Sequence, residues 1–312
     1  MFSDRAKQTL AAYKSGEIDR DYVISMDLTG EEREWVLSEG IELDWEGDEL
    51  EIQGTVRTWG TPTGDKVMPP IEDHHYIFLA GKQGAGKTSL SFFIAEQNAK
   101  LGLKVIIYSM EMSCEQLIRL NARKTAGITK EQWRNKKLIT DRQKEVYRKR
   151  KENLKPTKEK PLMLIGGGDW EKKGIKDILE DIEKNYKFAD LVIIDNLDLI
   201  HGSSDHMDNN ARQEEISRSL LQWTNENNTP IIMIHHLKKD SKGTVDDMRG
   251  SGKLSDDADI VIMVSRPTGE GITEQEKTVT NLFVGKDRDW GEPLVHKVQF
   301  DRGQFIDYED GF

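Results

Sequence analysis

The octapeptide Gly81-Lys82-Gln83-Gly84-Ala85-Gly86-Lys87-Thr88 constrains this chain more than any other stretch. It completes the GxxxxGK[ST] spacing of a phosphate-binding loop, and its flanks have the order such a loop needs. The apolar run Tyr76-Ile77-Phe78-Leu79-Ala80 precedes it as a strand. Ser89 to Lys100, with apolar Leu90, Phe93, Ile94 and Ala95, follows as a helix. Glycines let the backbone wrap a phosphate at the helix N-terminus, where free N–H groups and the helix dipole favour negative charge. Gly81, Gly84, Ala85, Gly86, Lys87, Thr88 and Ser89 are therefore the candidate nucleotide-binding residues. Lys87 is placed to neutralise the β- and γ-phosphates and the Thr88 hydroxyl to ligate Mg²⁺. The pattern predicts binding of ATP or another nucleoside triphosphate with Mg²⁺.

The chain has 312 residues, enough for one large α/β domain with a small appendage. No apolar run reaches the length of a membrane span, and Met1-Phe2-Ser3-Asp4-Arg5 lacks the layout of a signal peptide. These features predict a soluble protein without a membrane partner, cytoplasmic or, alternatively, in an organellar matrix. A single cysteine, Cys114, leaves no partner for an intrachain disulfide and no cysteine-based zinc module. Forty-five basic and 56 acidic side chains give a net charge of -11, so any nucleic-acid contact has to be local. The densest basic run, Arg142 to Lys160, is interrupted by Glu145, Glu152 and Glu159. It reads first as a solvated helix ending near Pro156, and second as an arm for phosphates.

Residues 1–70 read as an N-terminal appendage and linker. Ser3 caps a short helix whose Ala6, Leu10 and Tyr13 share one face, and Gly16 ends it. Its apolar stripe is too small for independent stability, which makes it a candidate subunit tether. An acidic stretch, 27–48, contains Trp35 and Trp45; residues 50–56 alternate like a strand; Gly60, Pro62, Gly64, Pro69 and Pro70 mark a connector. From residue 71 to 312 the pattern is βα repeated. Strands are predicted at 76–80, 104–109, 161–165, 190–195, 230–235 and 259–264, with a closing hairpin at 278–284 and 294–300. This is a mostly parallel sheet covered by helices, with ligands expected at the carboxyl ends of the strands.

Several polar groups fall at such ends. Leu191-Val192-Ile193-Ile194 leads into Asp195, suited to holding Mg²⁺ through its water shell, though a strand-end aspartate can also cap a turn. Lys104 to Met110 leads into Glu111, which either accepts the proton of an attacking water or favours the next helix N-terminus. His236, on its own residues, reads first as a satisfied core histidine. Lys238, Lys239 and Lys242, followed by Arg249, Gly250, Ser251, Gly252 and Lys253, form a polar loop with local positive charge.

The segments YSMEMS, LVIIDNLDLI, RQEEISRSL, PIIMIHHLKK, DDMRGSGKLSDDADIVIMVSR and GKDRDWG occur in this order. Together, over roughly residues 75–305, they resemble the RecA-type motor domain of DnaB-family replicative helicases, close in flavour to phage and mitochondrial ring helicases. The resemblance implies a RecA-like P-loop fold and NTP hydrolysis coupled to unwinding, with 5′ to 3′ movement on single-stranded DNA. It further implies a homo-oligomer, a hexameric ring, with a separate primase or loader as possible partner. It assigns Glu111 as catalytic glutamate, Asp195 as magnesium-site aspartate and His236 as γ-phosphate sensor. The 238–253 loop becomes the channel loop that grips the strand. Lys286 and Arg288, otherwise readable as strand-end salt-bridging groups, become the pair reaching into the neighbouring subunit's nucleotide. Two other classes are compatible with the same site: a recombinase or loader that assembles on DNA without unwinding it, and an ATPase switch independent of nucleic acid.

Overall fold

The computed structural model describes residues 3–14, 28–29, 55–157, 160–168, 170, 173–204, 208–238, 240–251, 254–269, 271–273, 275–291 and 293–308. The chain forms two compact units, 1–53 and 54–312. In the first, the helix Asp4–Lys14 starts where the sequence places it, with the Ala6 N–H donating to Ser3 Oγ at 3.2 Å. Gly16, Trp35, Trp45 and most of the 50–56 alternation lie outside the described residues. Thr55 and Val56, the described end of that alternation, are not in a strand.

The second unit is built on a nine-stranded sheet of order β3-β2-β4-β5-β1-β6-β7-β8-β9. Six strands, β1 (Tyr76–Gly81), β2 (Val105–Ser109), β3 (Leu162–Gly166), β4 (Leu191–Asp195), β5 (Ile231–His236) and β6 (Ile260–Ser265), pair in parallel. Three more, β7 (Val279–Asp287), β8 (Leu294–Asp301) and β9 (Gln304–Asp307), extend the sheet antiparallel from β6. The central parallel strands β1, β2 and β4 are buried along their whole length, which is why they read as continuous apolar runs rather than alternating ones. Alternate residues feed separate cores. Ile77, Leu79, Ile107, Ile193, Ile232 and Ile234 pack with Phe92, Phe93 and Ile94 of the helix Lys87–Lys100. Tyr76, Phe78, Tyr108, Val192, Ile194 and Met233 pack with Ile178 and Ile182 of the helix Ile175–Asn185 and with Ile216 and Leu220 of the helix Asn209–Asn227. Full burial of each such side chain contributes about 1.5–3 kcal/mol, so the strand order is held from both sides.

Three features differ from the sequence expectation. The Gly- and Pro-marked connector contains a helix, Pro62–Val67: Thr61 accepts the Gly64 N–H, Pro62 occupies the first turn, and the Trp59 indole donates to Pro69 O at 2.7 Å. Strand β7 continues through Lys286 and Asp287, with an irregularity opposite Val261 and Ile262, so Lys286 lies within a strand rather than after one. Strand β9 is additional. Arg302 and Gly303, at φ 44° and 85°, reverse the chain as a two-residue turn, and an Arg-Gly pair lacks the Asn-Gly or Asp-Gly signal that would have marked it. The basic run forms the helix Asp141–Leu154, capped by Thr140; Lys144 and Lys149 pair with Asp141 and Glu145 on its exposed side, while Arg150 turns inward to Glu96 and Asn121. No described helix is long and apolar enough to cross a membrane.

Candidate active site

The carboxyl end of β1 is Gly81, and the loop Lys82–Gly86 carries the chain to the helix Lys87–Lys100. Two glycines there are required by the backbone: Gly84 and Gly86 sit at φ 83° and 101°, which side chains beyond glycine rarely adopt. Close approach excludes a Cβ on Gly81, where it would overlap Val264 O, while Arg266 Nη2 lies against Gly86. Lys87 is buried, and its Nζ donates to Gly81 O at 2.6 Å and Lys82 O at 3.0 Å, holding the ammonium across the loop mouth. Burial lowers its pKa to about 8, against the raising influence of Asp195, Glu111 and Asp198.

Asp195 ends β4 beside the loop, and the Thr88 hydroxyl donates to its Oδ2 at 2.7 Å. Burial raises the Asp195 pKa to about 6, Thr88 lowers it, Glu111 raises it and Lys87 lowers it. Its Oδ1 is buried with no hydrogen-bond partner among the described residues. A buried carboxylate oxygen without a donor, next to a hydroxyl, is a hard-oxygen donor set that fits Mg²⁺. A cation at Asp195 and phosphates at Lys87 would each restore the charged form that burial disfavours.

Glu111 follows β2, two residues beyond Ser109, which pairs directly with Asp195. The Met110 N–H donates to Asp195 O at 2.6 Å, locking the two strand ends together. Asn196 Nδ2 donates to Glu111 Oε2 at 3.1 Å, fixing one carboxylate oxygen and leaving Glu111 partly exposed towards the cleft. His236 ends β5 with Nε2 at 3.9 Å from the same oxygen, too far for a hydrogen bond. Burial and Lys87 lower the His236 pKa while Glu111 and Asp198 raise it, so the net effect favours the neutral imidazole. Glu111, Asp195 and His236 present ligand atoms within 4.8 Å of one another. The Leu237 N–H donates at 3.1 Å to Gly81 O, the carbonyl that also receives Lys87. Leu237 thus ties the segment after His236 to the start of the loop.

Three residues around the loop were not singled out from the sequence. Asn196 directly follows Asp195, and its donation to Glu111 joins two segments that no sequence spacing connects. Arg266 lies just beyond β6 against Gly86, its Nε buried with no hydrogen-bond partner among the described residues, and burial lowers its pKa. Lys124, in the helix Cys114–Thr125, donates to Ser89 Oγ and stands 5.3 Å from the centre of the Phe300 ring. Lys124 reaches Ser89 across 35 residues and Arg266 comes from still farther along the chain, so no local spacing marks them. Only the position of Arg266 at a strand's carboxyl end offered a signal. A cleft of about 670 Å³, lined by Lys104, Met163, Tyr186 and Phe188, lies at the amino ends of β2 to β4 and holds none of these groups.

Lys286 and Arg288 are placed elsewhere. Lys286 pairs with Val261, which is level with Phe78 on β1. That is about 10 Å short of the carboxyl edge along the strand and two strands to the side. Lys286 Nζ donates to Ser255 O, Asp256 O and Ala258 O at 2.6–3.1 Å. Arg288 donates to Asp256 O at 3.1 Å and pairs with Asp259 at 2.8 Å, while half of its side chain stays exposed. Within one chain, then, Lys87, Thr88, Glu111, Asp195 and His236 converge, and Lys286 and Arg288 do not join them. The 238–253 segment leaves the carboxyl end of β5. Lys238 and Lys242 are exposed; Arg249, Gly250 and Ser251 belong to a 3-10 helix, Val245–Ser251; Lys239, Gly252 and Lys253 lie outside the described residues. The 3-10 turn forms because Thr244 donates to Asp247 at 2.8 Å and Met248 is fully buried as its anchor.

This arrangement can be set beside known proteins. A family model described as the DnaB-like helicase C terminal domain matches residues 60–309. The replicative DNA helicase DnaB of Mycoplasma genitalium is 29% identical over 221 residues, covering 66% of this chain and 45% of that protein. The Geobacillus stearothermophilus DnaB is 26% identical over 243 residues, covering 73% and 52%. The chain therefore spans about half the length of the curated relatives it matches. Among solved structures, the ATPase domain of G40P superposes with TM-score 0.70 at 18% identity over 91% of this chain and all of that one. A DnaB-like replicative helicase, described with its interactions with primase, gives 0.71 at 16% over 96% and 78%. The RadB recombinase gives 0.52 at 16% over 81% and 99%, the same fold less closely. The chain, through residues 60–309, belongs to the DnaB-like helicase C-terminal domain family.

Proposed function

We propose that this chain is an NTP-driven motor that translocates 5′ to 3′ on single-stranded DNA as a homo-oligomeric ring, hexameric, and separates duplex strands during replication in the cytoplasm. The observation that carries this reading is the division of labour just described. One set of groups converges on the phosphate loop, while Lys286 and the half-exposed Arg288 lie away from it, which supports a role for them at another copy's nucleotide.

In this reading the backbone N–H groups from Gly84 to Ser89 and the Lys87 ammonium hold the triphosphate. Thr88 and Asp195 would hold Mg²⁺, which would offset the negative charge of the phosphates. Glu111, oriented by Asn196, accepts a proton from the attacking water. Arg288 and Lys286 of a neighbouring copy offset charge on the transferred phosphoryl group. Neutral His236 senses whether the γ-phosphate is present. Through Leu237 and Gly81 O it connects that state to the 238–253 loop, whose Lys238, Lys239, Lys242, Arg249 and Lys253 contact the strand's backbone while Gly250, Ser251 and Gly252 permit close approach. A separate primase or loader is a candidate partner, and the Asp4–Lys14 helix is a candidate tether between copies.

The test is negative-stain imaging with nucleotide and single-stranded DNA, joined to displacement of a labelled strand from a 5′-tailed duplex. Closed rings with strand displacement support the reading. Filaments without displacement would replace it with a recombinase-like assembly, and monomers whose turnover ignores DNA would replace it with a simple ATPase switch.

A further inference from the structure

Trp290 follows Arg288 by two residues and is 71% exposed, an unusual place for a large aromatic ring. It is not loosely held. Asp287 Oδ1 accepts the N–H groups of Asp289 and Trp290 at 3.1 and 3.3 Å, Asp287 O accepts the Gly291 N–H at 3.2 Å, and Gly291 takes φ 70°. Buried His75 reaches Asp289 Oδ2 at 3.2 Å and pins the turn to the segment leading into β1. Beside the ring runs a cleft of about 420 Å³, walled by Val67, Pro69, Pro70, Pro293 and Leu294, and Val67 is itself exposed. The cleft is also lined by Asp65, Lys66 and Asp287, so an apolar wall has a charged rim. An exposed tryptophan on a fixed backbone beside such a wall is the makeup of an interface anchor: much area and a backbone already ordered.

We infer that Trp290 and the Val67–Pro70 wall form the docking surface for a second copy of this chain, and that Trp290 is a positioning residue which seats Arg288 against that copy's nucleotide. The inference rests on the trans role of Arg288. Arg288 and Trp290 share one turn, so a copy that brings its phosphate loop to Arg288 also covers Trp290. A flexible arginine is expensive to order at an interface. A preorganised aromatic anchor two residues away supplies the contact energy while Asp259 and the carbonyls at 256 and 258 already limit where the guanidinium can point.

Two measurements on the full chain test this. The first is NTP turnover against protein concentration. Trp290→Ala should raise the half-maximal concentration about tenfold or more, the size of an interface hot spot, with the plateau rate within about threefold of wild type; Trp290→Phe should stay close to wild type. Arg288→Ala, by contrast, should lower the plateau. The second places a photo-reactive benzoylphenylalanine at position 290. With Mg²⁺ and a non-hydrolysable nucleotide, irradiation should link two chains through peptides flanking the other copy's residues 81–89. This probe sits on the surface and decides the matter even if the alanine variant folds poorly. An unshifted concentration dependence, or crosslinks confined to one chain, overturns the inference. Mixing Lys87→Ala with Arg288→Ala separates the two ideas. Restored turnover in the mixture with no effect at Trp290 removes the anchor alone, and no restoration removes the trans role and the anchor with it.

Discussion

The carboxyl and amino edges of the same sheet solve different problems with different materials. At the carboxyl edge, Asp195 and His236 are the last residues of strands, Glu111 lies two residues beyond one, and Thr88 stands in the first turn of the helix after the loop, so the core fixes where these four groups meet. Beyond β6 the sheet turns antiparallel, and the cations at 286 and 288 are fixed by local bonds instead, to three carbonyls and to Asp259. One edge carries a site that a single chain assembles. The other carries two cations that do not join that site.

The sharpest way to break this comparison is to disable each edge separately. Lys87→Ala removes the ammonium from the loop and should eliminate NTP turnover. Arg288→Ala should lower it by about 10³–10⁵-fold, the range for a cation supplied to phosphoryl transfer. If the edges serve different chains, a mixture of the two variants contains interfaces with an intact loop facing an intact Arg288, and turnover reappears. Rates measured against mixing ratio, with subunit exchange and assembly verified by sizing, decide it. A mixture no better than its components means the two edges do not meet across chains.

Glu111→Gln comes next in size, with hydrolysis expected to fall about 10²–10⁴-fold while nucleotide affinity is kept. The amide keeps the shape and the contact with Asn196 but cannot accept a proton. Equilibrium binding of a fluorescent nucleotide alongside single-turnover hydrolysis checks this. Loss of binding with hydrolysis spared would make Glu111 a structural residue.

A smaller effect is expected in the 238–253 loop. Arg249→Ala with Lys253→Ala should weaken single-strand binding about equally across sequences. It should also reduce the salt dependence by about 1.4 in the slope of log affinity against log salt, if each residue neutralises one phosphate. Basal turnover should persist. Titrations at several salt concentrations check it, and an unchanged slope would move the DNA site to other residues.

Much of the carboxyl edge was legible because it is written in short-range patterns. Leu191 to Asp195 is an apolar run with a carboxylate after it, and the loop from Gly81 to Thr88 is a fixed spacing. Among the described residues, eight of the nine strands lie within a few residues of where the apolar runs place them. Arg266 and Lys124 were not legible as site residues, since each reaches the loop from a distant segment through side-chain packing alone. The extension of β7 through Lys286 was missed for a related reason. A lysine in a strand looks like a strand's end until the partner strand, here β6 with its irregular register, is known. Strand β9 hid behind a turn whose residues are atypical of its geometry.

Asp259 offers the finest test, because it touches both parts of the sheet. Its Oδ2 accepts the Tyr76 N–H at 2.9 Å, the first residue of β1, and its Oδ1 pairs with Arg288 at 2.8 Å. Asp259→Asn keeps an oxygen for Tyr76 and removes the charge that holds the guanidinium. The parallel half should therefore lose little, about 1 kcal/mol of stability, the scale of one weakened hydrogen bond. Arg288, half exposed and still bonded to the carbonyls at 256 and 258, would be less firmly directed rather than lost. Turnover should fall about tenfold at most, far less than for Arg288→Ala, and nucleotide affinity should not change. Denaturant melts, turnover and nucleotide binding on the two variants make the comparison. Equal losses of turnover in Asp259→Asn and Arg288→Ala would mean that the ion pair itself, and not the arginine's reach to another copy, is what the activity depends on.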